Sequence, residues 1–215
     1  TYYPSTLNFA SLQAEAAWGI HKCENGSEEL ILAIVDSGVK WMHPDIAENI
    51  WNNMGEDTNG NGYTMYHNGT AWVMDSDDIN GIDDDGNGKI DDLIGWDFMV
   101  DAAGTQGNDP DDPGTHGTNV SGLAGARTNN GIGAASLSWN PVIMPISCAR
   151  PGASTTIYNG YDAIVYAAEN GAKVINCSWG GPNYANSSRD AIAYAQSLGA
   201  IIVAAAGNNN NSVPT

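Results

Sequence analysis

Three polar residues stand where a short side chain is held close to the backbone. Asp36 closes the apolar run of "LILAIVDSG", His116 sits between two Gly-Thr pairs in "DPGTHGTNVSGLAGA", and Asn208 follows "IIVAAAG". A carboxylate, an imidazole and an amide are residue types that orient a partner, carry a proton and donate to developing negative charge. Each alone has an ordinary explanation: Asp36 a helix cap or metal ligand, His116 a satisfied structural imidazole, Asn208 a turn residue ahead of Asn209, Asn210 and Asn211. Together they are no longer isolated features.

The elements that must position them follow from apolar patterning. Residues 30–35, 142–147, 173–178 and 200–206 are near-continuous apolar runs rich in β-branched side chains, the pattern of strands covered on both faces. Between the last three, residues 155–170 carry a helical stripe of Ile157, Tyr161, Ile164, Val165 and Ala168 that ends at Gly171. Residues 187–198 carry a second stripe of Ala191, Ile192, Ala195 and Leu198, with Ser187 and Asp190 resembling a capping box and Gly199 as the stop. Strand, helix, strand, helix, strand predicts a doubly wound α/β fold, a mostly parallel sheet with helices on both faces. Functional groups of such sheets collect at the C-terminal strand ends, which is where Asp36, Ser178 and Asn208 fall. Ser121, Gly122, Ala124, Gly125 and Ala126 after His116 suit a helix that approaches other backbone closely. Residues 55–113, rich in Gly, Asn and Asp, read as a loop system inserted in one domain.

The chain has 215 residues, 42% of them hydrophobic, enough for one substantial core. Its 25 acidic residues against 7 basic ones give a net charge of −18, which excludes nucleic acid as a partner because no basic face can form. No apolar stretch reaches membrane-span length, and "TYYPSTLNFA" lacks an export-signal pattern. Cys23, Cys148 and Cys177 are too few for a disulfide scaffold, and Cys148 and Cys177 beside apolar runs are expected to be buried thiols.

Thirteen aspartates lie between Asp75 and Asp112. Carboxylates so concentrated repel one another unless a cation binds. In "DDDGNGKIDD", Asp83, Asp85, Asn87, Gly88 and Lys89 match the first seven positions of an EF-hand-type loop, with Lys89 offering its carbonyl. The twelfth position is Ile94, so a standard EF-hand is excluded and Asp91 or Asp92 is expected to close a shorter calcium site. The competing explanation is a solvated acidic loop. His21, His43, His67 and His116 show no zinc spacing.

Four segments together resemble the subtilisin-like serine proteases of the subtilase family: "AIVDSGVKWMHPDI", "GTHGTNVSGLAGA", "VINCSWGG" and "IIVAAAGNNN", in that family's order. The resemblance implies that His116 is a general base, Asp36 its orienting partner and Asn208 an oxyanion donor. It implies that Ser178, Trp179 and Gly180 pair with a peptide substrate, with Gly152 to Ser154 on the opposite side. It implies a second cation at Asp45 of "HPD" and Asn130 of "TNNGIG". It also implies secretion, a protein or peptide substrate and a propeptide partner. The family's second His, three residues after the first, is Asn119 here, and the family's Gly-Thr-Ser context for the nucleophile is absent from all 215 residues. The expectation is an N-terminal portion of one catalytic domain that is inactive without a serine-bearing C-terminal segment. The alternative is a non-catalytic module of the same fold that binds calcium or peptide.

Overall fold

The central strand forms where aliphatic residues run without a polar break: β1 (Ile31–Asp36). The structure, a computed structural model, describes residues 13–22, 30–112, 114–139, 141–153, 155–181 and 185–208; Cys23, Ser154 and Asn209 to Asn211 lie outside them. Around β1 a five-stranded parallel sheet assembles in the order β4-β5-β1-β6-β7, with β4 (Trp96–Asp97), β5 (Val142–Ser147), β6 (Val174–Cys177) and β7 (Ile201–Ala204). The register sets Asp36 level with Ser147 and Cys177 level with Ala204, so the polar residues that follow the strands emerge along one edge.

Alternation along β1 decides what covers each face. Ile31, Ala33 and Val35 pack with Ala163, Ile164 and Ala167 of α3 (Gly160–Glu169) and with Ala195 of α4 (Asn186–Ser197). Ile34 and Leu32 turn the other way, toward Val120 and Ala124 of α2 (His116–Gly125). Helices therefore cover both faces, as a doubly wound fold requires. A five-residue helix, α1 (Ala14–Trp18), lies earlier in the chain, and Trp18 Nε1 donates to the Leu137 carbonyl at 2.8 Å.

Three local expectations change. Helix α3 starts at Gly160, because Asn159 adopts a left-handed φ of 53° and Tyr158 donates its backbone N–H to Cys148 at 2.7 Å; Ile157 reaches the core from a turn. The Ser187–Asp190 capping box does not form: Ala185 is the N-cap residue of α4, with no side-chain cap bond. Strand β7 is covered on one face only. Ile202 packs against the core, whereas Ile201 and Val203 are 63% and 49% exposed, since β7 is an edge strand with only β6 beside it among the described residues.

The 55–113 segment contains one regular element pair, a hairpin of β2 (Met65–His67) and β3 (Trp72–Met74). Asn68 Oδ1 caps its turn by accepting the Thr70 and Ala71 N–H groups. Elsewhere Asp and Asn side chains accept backbone N–H groups and hold the loops, as Asp57 does for Gly60 and Gly62, while Leu93, Ile94, Trp96 and Phe98 tie the segment to the core. Cys148 and Cys177 are buried free thiols; burial pushes Cys177 up to about 12 and Cys148 well above its usual range, so both are inert.

Candidate active site and acidic loops

Asp36 ends β1 with 1% of its surface exposed. Its Oδ1 accepts the Ser37 N–H at 2.7 Å and lies 2.7 Å from His116 Nδ1. His116 is the first residue of α2, and its side chain is 58% exposed. One ring nitrogen is thus committed to a buried carboxylate while the ring lines an open cleft. The cleft, about 640 Å³, is lined by Asp36, His116, Thr155, Ser178, Trp179 and Gly180 among others.

Several groups hold this pair. A Cβ at Gly117 would collide with the Gly38 carbonyl oxygen, so only glycine lets α2 start this close to β1. The N-cap residue Thr115 makes no side-chain cap bond; instead Asp112 Oδ2 accepts the N–H and hydroxyl of Thr118 at 3.2 and 2.8 Å. Asp112 Oδ1 accepts Ser37 Oγ at 2.9 Å, and Ser37 Oγ in turn accepts the Gly117 N–H at 3.0 Å. Asp112 and Ser37 were missed from sequence, although an acidic residue four positions before a helix-starting His was a signal for such a brace.

The cleft wall is built from both sides of the sheet edge. Trp179 Nε1 donates to the Val35 carbonyl at 2.8 Å, one residue before Asp36, and its ring meets Tyr161 edge-on at 5.7 Å. Gly160 gives room for it: a Cβ there would lie 2.7 Å from the indole. Asn176 Nδ2 donates to Ser178 Oγ at 2.9 Å. Gly152 and Asn208 are both exposed and stand outside the set of cleft-lining residues; Thr155 and Ile157 occupy the wall where Gly152 was expected. Asn208 follows β7 after Ala205, whose N–H donates to Cys177 at 3.0 Å and extends the pairing toward the site.

In the acidic loop, Glu56, Asp83 and Asp85 converge so that one oxygen of each lies within 4.8 Å of the others. Glu56 was missed from sequence because it precedes the loop by a whole hairpin. It has no exposed surface, and burial, with the charges of Asp92 and Asp85, pushes its carboxyl up to about 7. Glu56 Oε2 and Asp83 Oδ1 are buried without hydrogen-bond partners, the condition a bound cation relieves. Asp92 is fully buried and pushed up to about 6 by burial, while the Tyr166 hydroxyl donates to its Oδ2 at 2.5 Å and Asn87 Nδ2 at 3.0 Å. Asp91 faces elsewhere, its oxygens accepting the Asn80 and Gly81 N–H groups. Lys89 Nζ donates to Gln106 at 2.8 Å and lies over the rings of Trp96 and Phe98. Asp45 and Asn130 do meet: Asn130 Nδ2 donates to Asp45 Oδ1 at 2.8 Å, and the Ala134 N–H donates to Oδ2 at 2.7 Å.

Comparison with known proteins gives a consistent result. A family model described as "Subtilase family" matches residues 27–215. "Thermitase" of Thermoactinomyces vulgaris is 32% identical over 223 residues, covering 99% of this chain and 61% of that protein. "Thermophilic serine proteinase" of Bacillus sp. (strain AK1) is 31% identical over 196 residues, covering 91% and 36%. The chain thus spans between about a third and three fifths of these relatives. Among solved structures, fervidolysin from Fervidobacterium pennivorans, described as a keratinolytic enzyme related to subtilisin, superposes with a TM-score of 0.59 at 24% identity over 91% of this chain and 23% of that one. That likeness establishes the fold.

Proposed function

The chain belongs to the subtilase family, and on that premise we propose that it is the N-terminal portion of a serine endopeptidase catalytic domain, with an Asp, Asn and Gly-rich insertion at about 55–113. The observation that carries this is the 2.7 Å contact between His116 Nδ1 and the buried Asp36 carboxylate at the mouth of the cleft. With Nδ1–H donated to Asp36, the lone pair of Nε2 is free to take a proton from a serine hydroxyl and to return it to the leaving amine. Asp36 stays ionised and stabilises the imidazolium formed in between. Asn208 would donate its amide N–H to the oxyanion of the tetrahedral intermediate. Ser178 to Gly180 would hold the peptide as an added strand, with Thr155 and Ile157, in place of Gly152, on the far wall. The nucleophile is proposed to lie beyond Thr215, in a Gly-Thr-Ser context that the 215 residues lack. A propeptide partner and secretion accompany this proposal through the family.

Calcium is the proposed cofactor. Glu56, Asp83 and Asp85 would hold it with Asn87, the Lys89 carbonyl and Asp92; the orphaned Glu56 and Asp83 oxygens and the all-oxygen donor set fit a hard cation. Bound there, it would neutralise carboxylates that otherwise repel, and so stabilise the insertion. Asp91 would contribute by fixing the Asn80–Gly81 turn beside it. A second ion at Asp45 and Asn130 would need the Asn130 amide turned to present its oxygen.

The test is hydrolysis of an unstructured peptide substrate by a polypeptide extended through the serine motif. We expect cleavage by the extended chain, none by residues 1–215, and loss on His116→Ala with the fold retained. Undiminished turnover in His116→Ala would overturn the assignment. A gene whose downstream sequence has no Gly-Thr-Ser motif would favour the non-catalytic module.

A further inference from the structure

The loop at residues 57–63 reproduces the hydrogen bonding of the loop at residues 83–89. Asp57, Asn59, Asn61, Gly62 and Tyr63 stand at the positions held in the second loop by Asp83, Asp85, Asn87, Gly88 and Lys89. The first carboxylate accepts the sixth N–H: Gly62 to Asp57 Oδ2 and Gly88 to Asp83 Oδ2, both at 2.9 Å. The third side chain accepts the fifth N–H, Asn61 to Asn59 Oδ1 and Asn87 to Asp85 Oδ1, again both at 2.9 Å. The fifth accepts the seventh: Tyr63 to Asn61 Oδ1 at 3.0 Å and Lys89 to Asn87 Oδ1 at 2.8 Å. Left-handed glycines recur at the fourth and sixth positions, with φ of 71° and 93° in one loop and 75° and 87° in the other. Only the second loop was singled out from sequence, although Asp57 to Gly62 fits the same Asp-x-(Asp/Asn)-x-(Asp/Asn)-Gly pattern.

Loop shape would not make a site, and a separate feature points to a ligand. Asp78 has no exposed surface. Its Oδ1 faces the first loop, accepting the Thr58 and Asn59 N–H groups at 3.0 and 3.1 Å, and its Oδ2 is buried with no hydrogen-bond partner. An ionised carboxylate buried in this way needs a compensating positive charge. Among the described residues no Lys or Arg forms an ion pair with Asp57, Asp75 or Asp78. Across the loop, Asp75 Oδ2 draws in the Asn59 and Asn61 amide N–H groups at 3.1 and 2.6 Å, contacts that a cation would replace.

We propose that residues 57–63, closed by Asp75 and Asp78, form a calcium site separate from the one at Glu56, Asp83 and Asp85. The donors are carboxylate and amide oxygens with the Tyr63 carbonyl at the seventh position, a hard-oxygen set suited to calcium and poorly suited to zinc or copper. The site stands independently of proteolysis and of the neighbouring ion.

The test is to strip residues 1–215 with a chelator, titrate with calcium chloride by calorimetry, and count bound ions by native mass spectrometry. The Asp57→Asn/Asp78→Asn variant is expected to lose one ion that the Asp83→Asn/Asp85→Asn variant keeps. An ion count and affinities unchanged by Asp57→Asn/Asp78→Asn overturn the proposal and leave the 83–92 site intact. Loss of the only ion on Asp57→Asn/Asp78→Asn, with none lost on Asp83→Asn/Asp85→Asn, supports it and removes the neighbour instead. Asn61→Ala guards against a folding defect because Asn61 is exposed. It should weaken one binding event about tenfold, and unchanged affinity in this variant also overturns the site.

Discussion

The two ends of the site edge differ in how firmly they are held. At β1, Asp36 is 1% exposed and braced through Ser37, Asp112, Thr118 and Gly117. At β7, a similar apolar run leads to a similar polar residue, yet Ile201, Val203 and Asn208 stand exposed. The same strand-then-polar signal therefore places a side chain without fixing it. What fixes it is packing on both faces and a second set of hydrogen bonds, which β1 has and β7 lacks among the described residues.

The largest predicted effect lies at the braced end. In a polypeptide carrying the serine motif, Asp36→Asn should lower kcat about 10⁴-fold with little change in the melting curve, because the amide favours the wrong His116 tautomer. Next, in residues 1–215, Ile34→Ala in β1 should cost about 2–5 kcal/mol in denaturant unfolding, whereas Ile201→Ala in β7 should cost no more than about 0.5 kcal/mol. Equal costs would erase the contrast between the strands. Asp112→Ala removes the acceptor for Ser37 Oγ and for the Gly114 and Thr118 N–H groups, and should cost about 1–3 kcal/mol by the same measurement.

The smallest effect concerns Asp97 at the end of β4, which burial, with the Asp109 charge, pushes from 3.8 to about 6. Between those values the folded chain holds a proton that the unfolded chain has released, so stability falls as pH rises through that window. Asp97→Asn should therefore melt higher than the parent above pH 6, with the difference vanishing below about pH 4. A constant difference across pH would show that Asp97 does not titrate with folding.

The strands and the Asp36–His116 pair were legible because each depends on local pattern: an apolar run, a polar residue at its end, small residues that admit a helix. The start of α3 was not, since Ile157 fits the helical period but reaches the core from a turn set by Asn159. Glu56 was invisible for a different reason, since its role arises only once distant segments meet, and Asp112 offered only the local half of its brace: its spacing to His116 was readable, its bond to Ser37 was not. Asp45 and Asn130 show the reverse, a pair foreseen from resemblance that meets through an N–H donor. The exposed face of β7 could not be read from its composition, because burial depends on what packs against a strand and not on the strand itself.

The most direct test of the central claim is labelling of the extended polypeptide with a fluorophosphonate, followed by mass spectrometry to locate the adduct. One labelled serine beyond Thr215 is expected, with labelling abolished by His116→Ala and sharply slowed by Asp36→Asn. Labelling that proceeds at the same rate without His116, or none in the intact polypeptide, would contradict the claim.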